Sequence, residues 1–292
     1  MDTKFLGHIA GRATMKLAAV LLLSLQIGTA QADGRVLQLD LEGPLGVATS
    51  EYIVAGIELA NEQGARLVLI RMDTPGGLVE PMRDIVRAIL GSDVPVVTYV
   101  SPGGARADSA GTYILLASHV AAMAPTTHLG AATPVSLGGD DAKSPLAPRS
   151  PLPESAPRDS GNDSEDNGPG APEDGQTADE KPAEDAREPD TAMGRKVLND
   201  AIAYIRGLAE THGRNADWAE QAVRDASTLT ATEALEQNVI DLIAVDREAL
   251  LEQLNGRELK ANNKTVTLDT ENVTVERVEP GWRIRFLSTI AN

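Results

Sequence analysis

The chain has 292 residues, 42% of them apolar and 3% aromatic, which is enough for one large domain or two modest ones. A net charge of −17 argues against a nucleic-acid binder that works through the phosphate backbone. The lack of cysteine excludes a disulfide framework, a cysteine nucleophile and a thiolate metal site. The four histidines (His8, His119, His128 and His212) are too scattered to predict a histidine-built zinc centre.

The N-terminus carries the three parts of an export signal. Lys4, Arg12 and Lys16 make a positive start, Leu17–Ile27 is an apolar run broken by Ser24 and Gln26, and Ala30–Ala32 supplies small residues for cleavage. The run is shorter than the roughly 20 residues a spanning helix needs. Residues 1–32 are therefore read as a signal peptide, with an uncleaved anchor as the alternative. Either way the body lies beyond the cytoplasmic membrane, on its periplasmic side.

From Arg35 the pattern alternates between strands and helices. Arg35–Leu41 reads as a strand, Tyr52–Asn61 as a helix and Arg66–Asp73 as a buried strand followed by the turn "TPGG". Leu78–Leu90 has apolar residues at helical spacing, Val94–Val100 is another buried strand, Ser109–Ser118 a helix and Val120–Ala124 a short strand. Residues 140–190 break the pattern. They hold 15 acidic against 5 basic residues and nine of the 17 prolines, with no aromatic residue. Such a stretch cannot bury enough apolar surface to offset its ordering entropy and reads as a disordered insertion.

Beyond it, Arg195–Glu210 and Asn215–Ala226 are predicted helices, and Thr230 with Glu233 forms a capping box for a third. Val239–Ala244 returns as a strand, and 256–292 alternates like β-structure before a basic, aromatic end at Trp282–Phe286. The expected fold is α/β with a largely parallel sheet, its two parts at 33–139 and 191–255 separated by the insertion.

Two stretches have the makings of an acyl-transfer site. In "DTPGG" (Asp73–Gly77), adjacent glycines let backbone N–H groups approach a substrate oxyanion. A tight turn is the alternative. In "DSAGTYI", Ser109 stands at a helix mouth, where the dipole favours a developing alkoxide, and the Ala110 N–H is a second donor. A helix cap is the alternative for Ser109. A serine nucleophile needs a base. His119 is about 15 Å along the predicted helix, too far for a hydrogen bond. His128 lies on the next loop, and Asp108 is placed to orient a histidine. Of seven lysines only Lys196 falls in a well-patterned core helix, and its bland reading is an ion pair with Asp200 one turn on.

Taken in order, "DTPGG", "VSPGGARADSAGTYILLASHVAAMAP" and "KVLNDAIAYIRGLAETHGRNADWAEQAVRDASTLTATEALEQNVIDLIA" closely resemble the NfeD family of membrane-associated, ClpP-class serine proteases. The resemblance runs over residues 36–246, interrupted by the insertion. It implies a ClpP/crotonase-like fold of repeated ββα units with a largely parallel sheet. It makes Ser109 the nucleophile, Lys196 the general base, and Gly76, Gly77 and Ala110 the oxyanion hole, with no metal or cofactor.

Where cytoplasmic ClpP carries its histidine, this chain reads "LGAATPV", which favours a Ser–Lys dyad. The resemblance further implies a stomatin-like (SPFH) membrane protein as substrate or partner, cleaved in a hydrophobic segment, and assembly into a homodimer or larger homo-oligomer at the membrane surface. Asp108 departs from the small residue expected before the nucleophile. Two rivals remain: a crotonase-like enzyme for coenzyme A thioesters, disfavoured by the export signal, and a catalytically weak scaffold that binds a stomatin-like protein.

Overall fold

A computed structural model describes residues 34–135 and 191–281. The predicted signal segment, the acidic insertion and the basic aromatic end lie outside the described residues. The main sheet has six parallel strands in the order β11-β1-β2-β3-β5-β8. These are β1 (Arg35–Glu42), β2 (Leu67–Asp73), β3 (Val96–Val100), β5 (Val120–Met123), β8 (Leu242–Ile243) and β11 (Thr274–Arg277). Parallel strands need crossovers. Helices α1 (Val47–Gln63) and α2 (Val79–Leu90) make the first two, and α3 (Ala110–Ala117) lies in the third.

The sheet is buried on both faces because its strands are apolar in both registers. Leu37, Leu39, Leu41, Val68, Ile70 and Met72 point into the larger core, against α1–α3 and two later helices, α4 (Ala192–Thr211) and α5 (Ala216–Arg224). Val36, Leu67, Leu69, Val97 and Tyr99 point the other way, into a smaller core closed by α7 (Arg247–Leu254) and Leu268. A short helix, α6 (Ala231–Glu236), starts at the expected capping box. The Thr230 hydroxyl accepts the Glu233 N–H, and the Glu233 carboxylate takes the Thr230 N–H at 2.9 Å.

The structure departs from the sequence reading in four places. The first helix begins at Val47, five residues early, because Gly46 caps it with backbone alone. Val239–Ala244 contributes only two strand residues. The stretch after 255 forms a hairpin of β9 (Glu258–Ala261) and β10 (Lys264–Thr267), and then the edge strand β11, so the sheet continues across residue 255. A second sheet, absent from the sequence reading, joins β4 (Arg106–Asp108), β6 (His128–Gly130) and β7 (Thr228–Thr230). Three-residue strands are too short to show a period, yet this small sheet sets the position of Ser109.

Candidate active site

Ser109 links β4 directly to α3. Its backbone has φ 52° and ψ −118°, a conformation that non-glycine residues rarely hold and that costs on the order of 1–3 kcal/mol. Its side chain makes no capping hydrogen bond, so the helix-cap reading is set aside. The turn is over-determined by its surroundings. Ser109 N–H donates to the Gly130 carbonyl at 2.8 Å, and Asp108 N–H to the Thr74 carbonyl at 3.1 Å. One turn into the helix, the Thr112 hydroxyl lies 2.8 Å from the Ala107 carbonyl and accepts the Gly130 N–H at 3.1 Å. A strand, a sharp strained turn and a buried helix thus present a serine hydroxyl at a helix N-terminus, the layout of a nucleophile elbow without its usual glycines.

The glycine turn meets it from β2. Thr74 N–H donates to the Arg106 carbonyl at 2.8 Å, which ties the end of β2 to β4. Gly76 then lies against the serine: a Cβ there would sit 2.5 Å from Ser109 Cβ and 3.0 Å from its Oγ. Of the three expected oxyanion donors, Gly76 differs from the other two. Its N–H is taken by the Thr74 hydroxyl at 3.1 Å, and its carbonyl by Leu45 N–H at 2.8 Å. Gly77 and Ala110 keep N–H groups without a partner among the described residues. Gly77 cannot be replaced for another reason, since a Cβ on it would lie 2.1 Å from the Leu45 carbonyl oxygen.

A cavity opens beside the serine, with a volume of about 90 Å³. Gly77, Ser109 and Ala110 form one end. Val79, Met82 and Arg83 of α2 make one wall; Val197, Asp200, Ala201 and Tyr204 of α4 make the other. The α4 residues recur at three- and four-residue spacing, so one helical face looks into the cavity. Tyr113 and Tyr204 stack with ring centroids 6.0 Å apart, and the Arg83 guanidinium lies 4.4 Å from the Tyr204 ring centroid. Burial pushes both phenols up from their ordinary range, so they stay neutral. Of the cavity-lining side chains, Val79 and Val197 are also exposed, at 52% and 43%.

The candidate bases are placed differently. Lys196 lies on α4, one residue before Val197 and one turn before Asp200. It is exposed, does not line the cavity, and has no hydrogen bond or ion pair among the described residues. The expected Lys196–Asp200 pair is absent: Asp200 accepts from Arg83 at 2.6 Å. His119 is buried at the far end of α3, where its Nδ1 accepts the Val96 N–H at 3.1 Å. His128 approaches Asp108 at 3.5 Å, on the side of the small sheet that also carries Arg106. Asp108 thus lies 3.5 Å from both His128 and Arg106, and its buried Oδ1 has no hydrogen-bond partner among the described residues.

The far end of α3 is also held. Arg214, buried to 5% exposure, donates to the Leu116 carbonyl at 2.7 Å and to Asp241 at 2.6 Å, and His212 Nε2 lies 3.0 Å from the Ala117 carbonyl. Sequence reasoning missed Thr74, Arg83, Tyr204 and Arg214. Thr74 alone had a signal, since it lies inside the glycine turn. Arg83 in "PMRDIVRAIL" has the pattern of an ordinary solvated helix face.

Comparison with known proteins gives the family and the fold. Residues 36–147 match the family model described as the NfeD1b N-terminal domain. The membrane-bound protease PH1510 of Pyrococcus horikoshii is 32% identical over 254 residues, 86% of this chain; the chain spans 47% of that relative's length. Two solved structures of 1510-N, a membrane-bound stomatin-specific protease, superpose well. One, a lysine-to-alanine mutant holding a substrate peptide, has a TM-score of 0.65 and 32% identity and covers 89% of this chain and 98% of its own. The other, a serine-to-alanine mutant, has a TM-score of 0.63 and 33% identity, with 85% and 98% covered.

Proposed function

The chain belongs to the NfeD family of ClpP-like proteases, and on that premise we propose that it is a serine endopeptidase with Ser109 as nucleophile and Lys196 as general base. The observation that carries the reading is the strained turn at Ser109, whose side chain makes no hydrogen bond among the described residues.

In this mechanism the neutral Lys196 amine takes the Ser109 proton as Oγ attacks a peptide carbonyl. The N–H groups of Gly77 and Ala110 hold the resulting oxyanion, aided by the N-terminus of α3. The Lys196 ammonium returns its proton to the departing amine. A water deprotonated by Lys196 then hydrolyses the acyl-enzyme and regenerates Ser109. Gly76 contributes space rather than a donor.

The substrate is a hydrophobic segment of a membrane protein. The apolar cavity and the exposed side chains around its mouth support this, because they bury aliphatic side chains and offer no charged group to a polar peptide except the Arg83–Asp200 pair. A stomatin-like protein is the proposed partner, by analogy with the specificity named for 1510-N. The proposed location is the outer, periplasmic side of the cytoplasmic membrane, and the proposed state a homodimer or larger. Among the described residues no helix is long and apolar enough to cross a membrane.

One observation favours a scaffold that binds without cutting: the exposed position of Lys196, outside the cavity. A peptide panel separates the two. The purified protein, Ser109→Ala and Lys196→Ala are each incubated with the apolar C-terminal segment of a stomatin-like protein and with polar controls. Cleavage of the apolar peptide, lost in both variants, supports the dyad. Full activity in Lys196→Ala removes it as the base and makes His128 the next candidate. Binding without cleavage by the parent supports the scaffold.

A further inference from the structure

We propose that Arg83 is a positioning residue of this site, which holds Asp200 from across the cleft and so denies that carboxylate to Lys196. The proposal rests on the Ser109–Lys196 reading. Lys196 and Asp200 are four residues apart on α4, the spacing at which helical side chains meet. Left to themselves, an ammonium and a carboxylate at that spacing pair. The carboxylate then favours the charged form of the amine, which has no lone pair to accept the Ser109 proton.

The structure shows Asp200 employed elsewhere. Its Oδ2 accepts from Arg83 at 2.6 Å, and the same guanidinium stands over the Tyr204 ring, one turn further along α4. Arg83 thus grips two residues on the cavity face of α4 from the opposite wall. The Arg83 side chain is 28% exposed, against 67% for Asp200. An ion pair this exposed adds little to stability. Its position gives it a chemical role instead: it neutralises the acid one turn from the base on the same helix.

The facing elements carry other charged and titratable groups among the described residues. On α2, Asp84 and Arg87 pair with each other. On α3 the facing group is the neutral Tyr113. On α4, Tyr204 lies under Arg83, and Arg195 has a partner of its own. Asp108, next to Ser109, lies 3.5 Å from Arg106 and from His128 on the side of the small sheet. Among the described residues, Asp200 is the carboxylate one helical turn from Lys196 on α4.

The test is the pH profile of kcat/KM for cleavage of an apolar peptide by the full chain, in the parent, Arg83→Gln, Arg83→Lys, Asp200→Asn and the double variant Arg83→Gln with Asp200→Asn. Removing Arg83 frees Asp200, so the alkaline rise in activity should move up by about 0.3 pH unit, with roughly twofold lower activity at pH 7.5. Arg83→Lys should keep the parent position. The double variant should return to it, because no carboxylate remains to hold the amine charged. Thermal unfolding of each variant identifies any that fail to fold. A uniform loss in Arg83→Gln at every pH, not rescued by Asp200→Asn, overturns the proposal in favour of a packing role. An unmoved profile also overturns it, while leaving the dyad intact if Lys196→Ala is inactive. Full activity in Lys196→Ala would instead refute the dyad itself.

Discussion

Gly76 stands so close to Ser109 that a methyl group on its Cα would lie 2.5 Å from Ser109 Cβ. The contact follows from the backbone bonds between Thr74 and β4, which bring the glycine turn under the nucleophile. With φ at +102°, Gly76 also occupies backbone space that other residues adopt only under strain.

Gly76→Ala is accordingly expected to abolish peptide cleavage, with a loss of at least about 100-fold, as when an oxyanion donor is removed. The added methyl displaces Ser109 from its turn. Gly64 also has a positive φ, but nothing lies within 4 Å of a Cβ there, so Gly64→Ala is the control for strain alone. Equal losses of activity in the two variants would argue against the contact.

Ala201 lines the apolar cavity opposite Ser109 and is buried. Ala201→Trp should fill the cavity and block an apolar peptide, raising KM at least tenfold. A small fluorophosphonate, which needs only the hydroxyl and the oxyanion donors, should still label Ser109. Loss of both reactions together would mean that the cavity supports the turn rather than receiving substrate.

Burial lowers His119 and His212 to about 4, with Arg214 adding to the effect on both and His212 to that on His119. Both are neutral in the folded state at pH 5, whereas in the unfolded chain they titrate near 6.5. The unfolded state therefore binds more protons in between. The stabilisation is complete above about pH 6.5 and is lost as pH falls towards 4. Each imidazole contributes at most on the order of 3 kcal/mol. Thermal midpoints measured from pH 7.5 to 4.5 should fall steadily, and His119→Asn with His212→Gln should flatten the slope. An unchanged slope in that double variant would show that the histidines are not responsible.

Asp241 accepts both the Arg214 guanidinium and the Ala121 N–H. Asp241→Ala leaves a buried charge uncompensated and should cost about 3–5 kcal/mol in urea unfolding. Because Arg214 also holds the Leu116 carbonyl at the C-terminus of α3, activity should fall along with stability. A loss below about 1 kcal/mol would mean that Arg214 finds another partner or water.

The sequence revealed much of this molecule for one reason: long apolar runs such as Leu67–Asp73 and Val96–Val100 can only be buried strands, and the capping box at Thr230 is a local signal. The candidate site was legible through Ser109 and the "PGG" turn. What stayed hidden depends on contacts distant in sequence. The three-residue strands that strain Ser109 have no period to read. The Thr74 hydroxyl that takes the Gly76 N–H is two residues away, but its orientation is set by the Gly43 carbonyl, which it contacts at 2.8 Å. Arg83 and Asp200 are separated by 117 residues, so the helical spacing of Lys196 and Asp200 pointed to a pair that the folded chain replaces.

The central claim is that Ser109 is a nucleophile activated by Lys196. The most direct test is to treat the parent, Ser109→Ala and Lys196→Ala with a fluorophosphonate and follow the adduct by intact mass and peptide mapping. The account predicts one adduct per chain on Ser109, none in Ser109→Ala, and labelling slowed by about 100-fold or more in Lys196→Ala. An unlabelled parent, or an adduct on another residue, would contradict it.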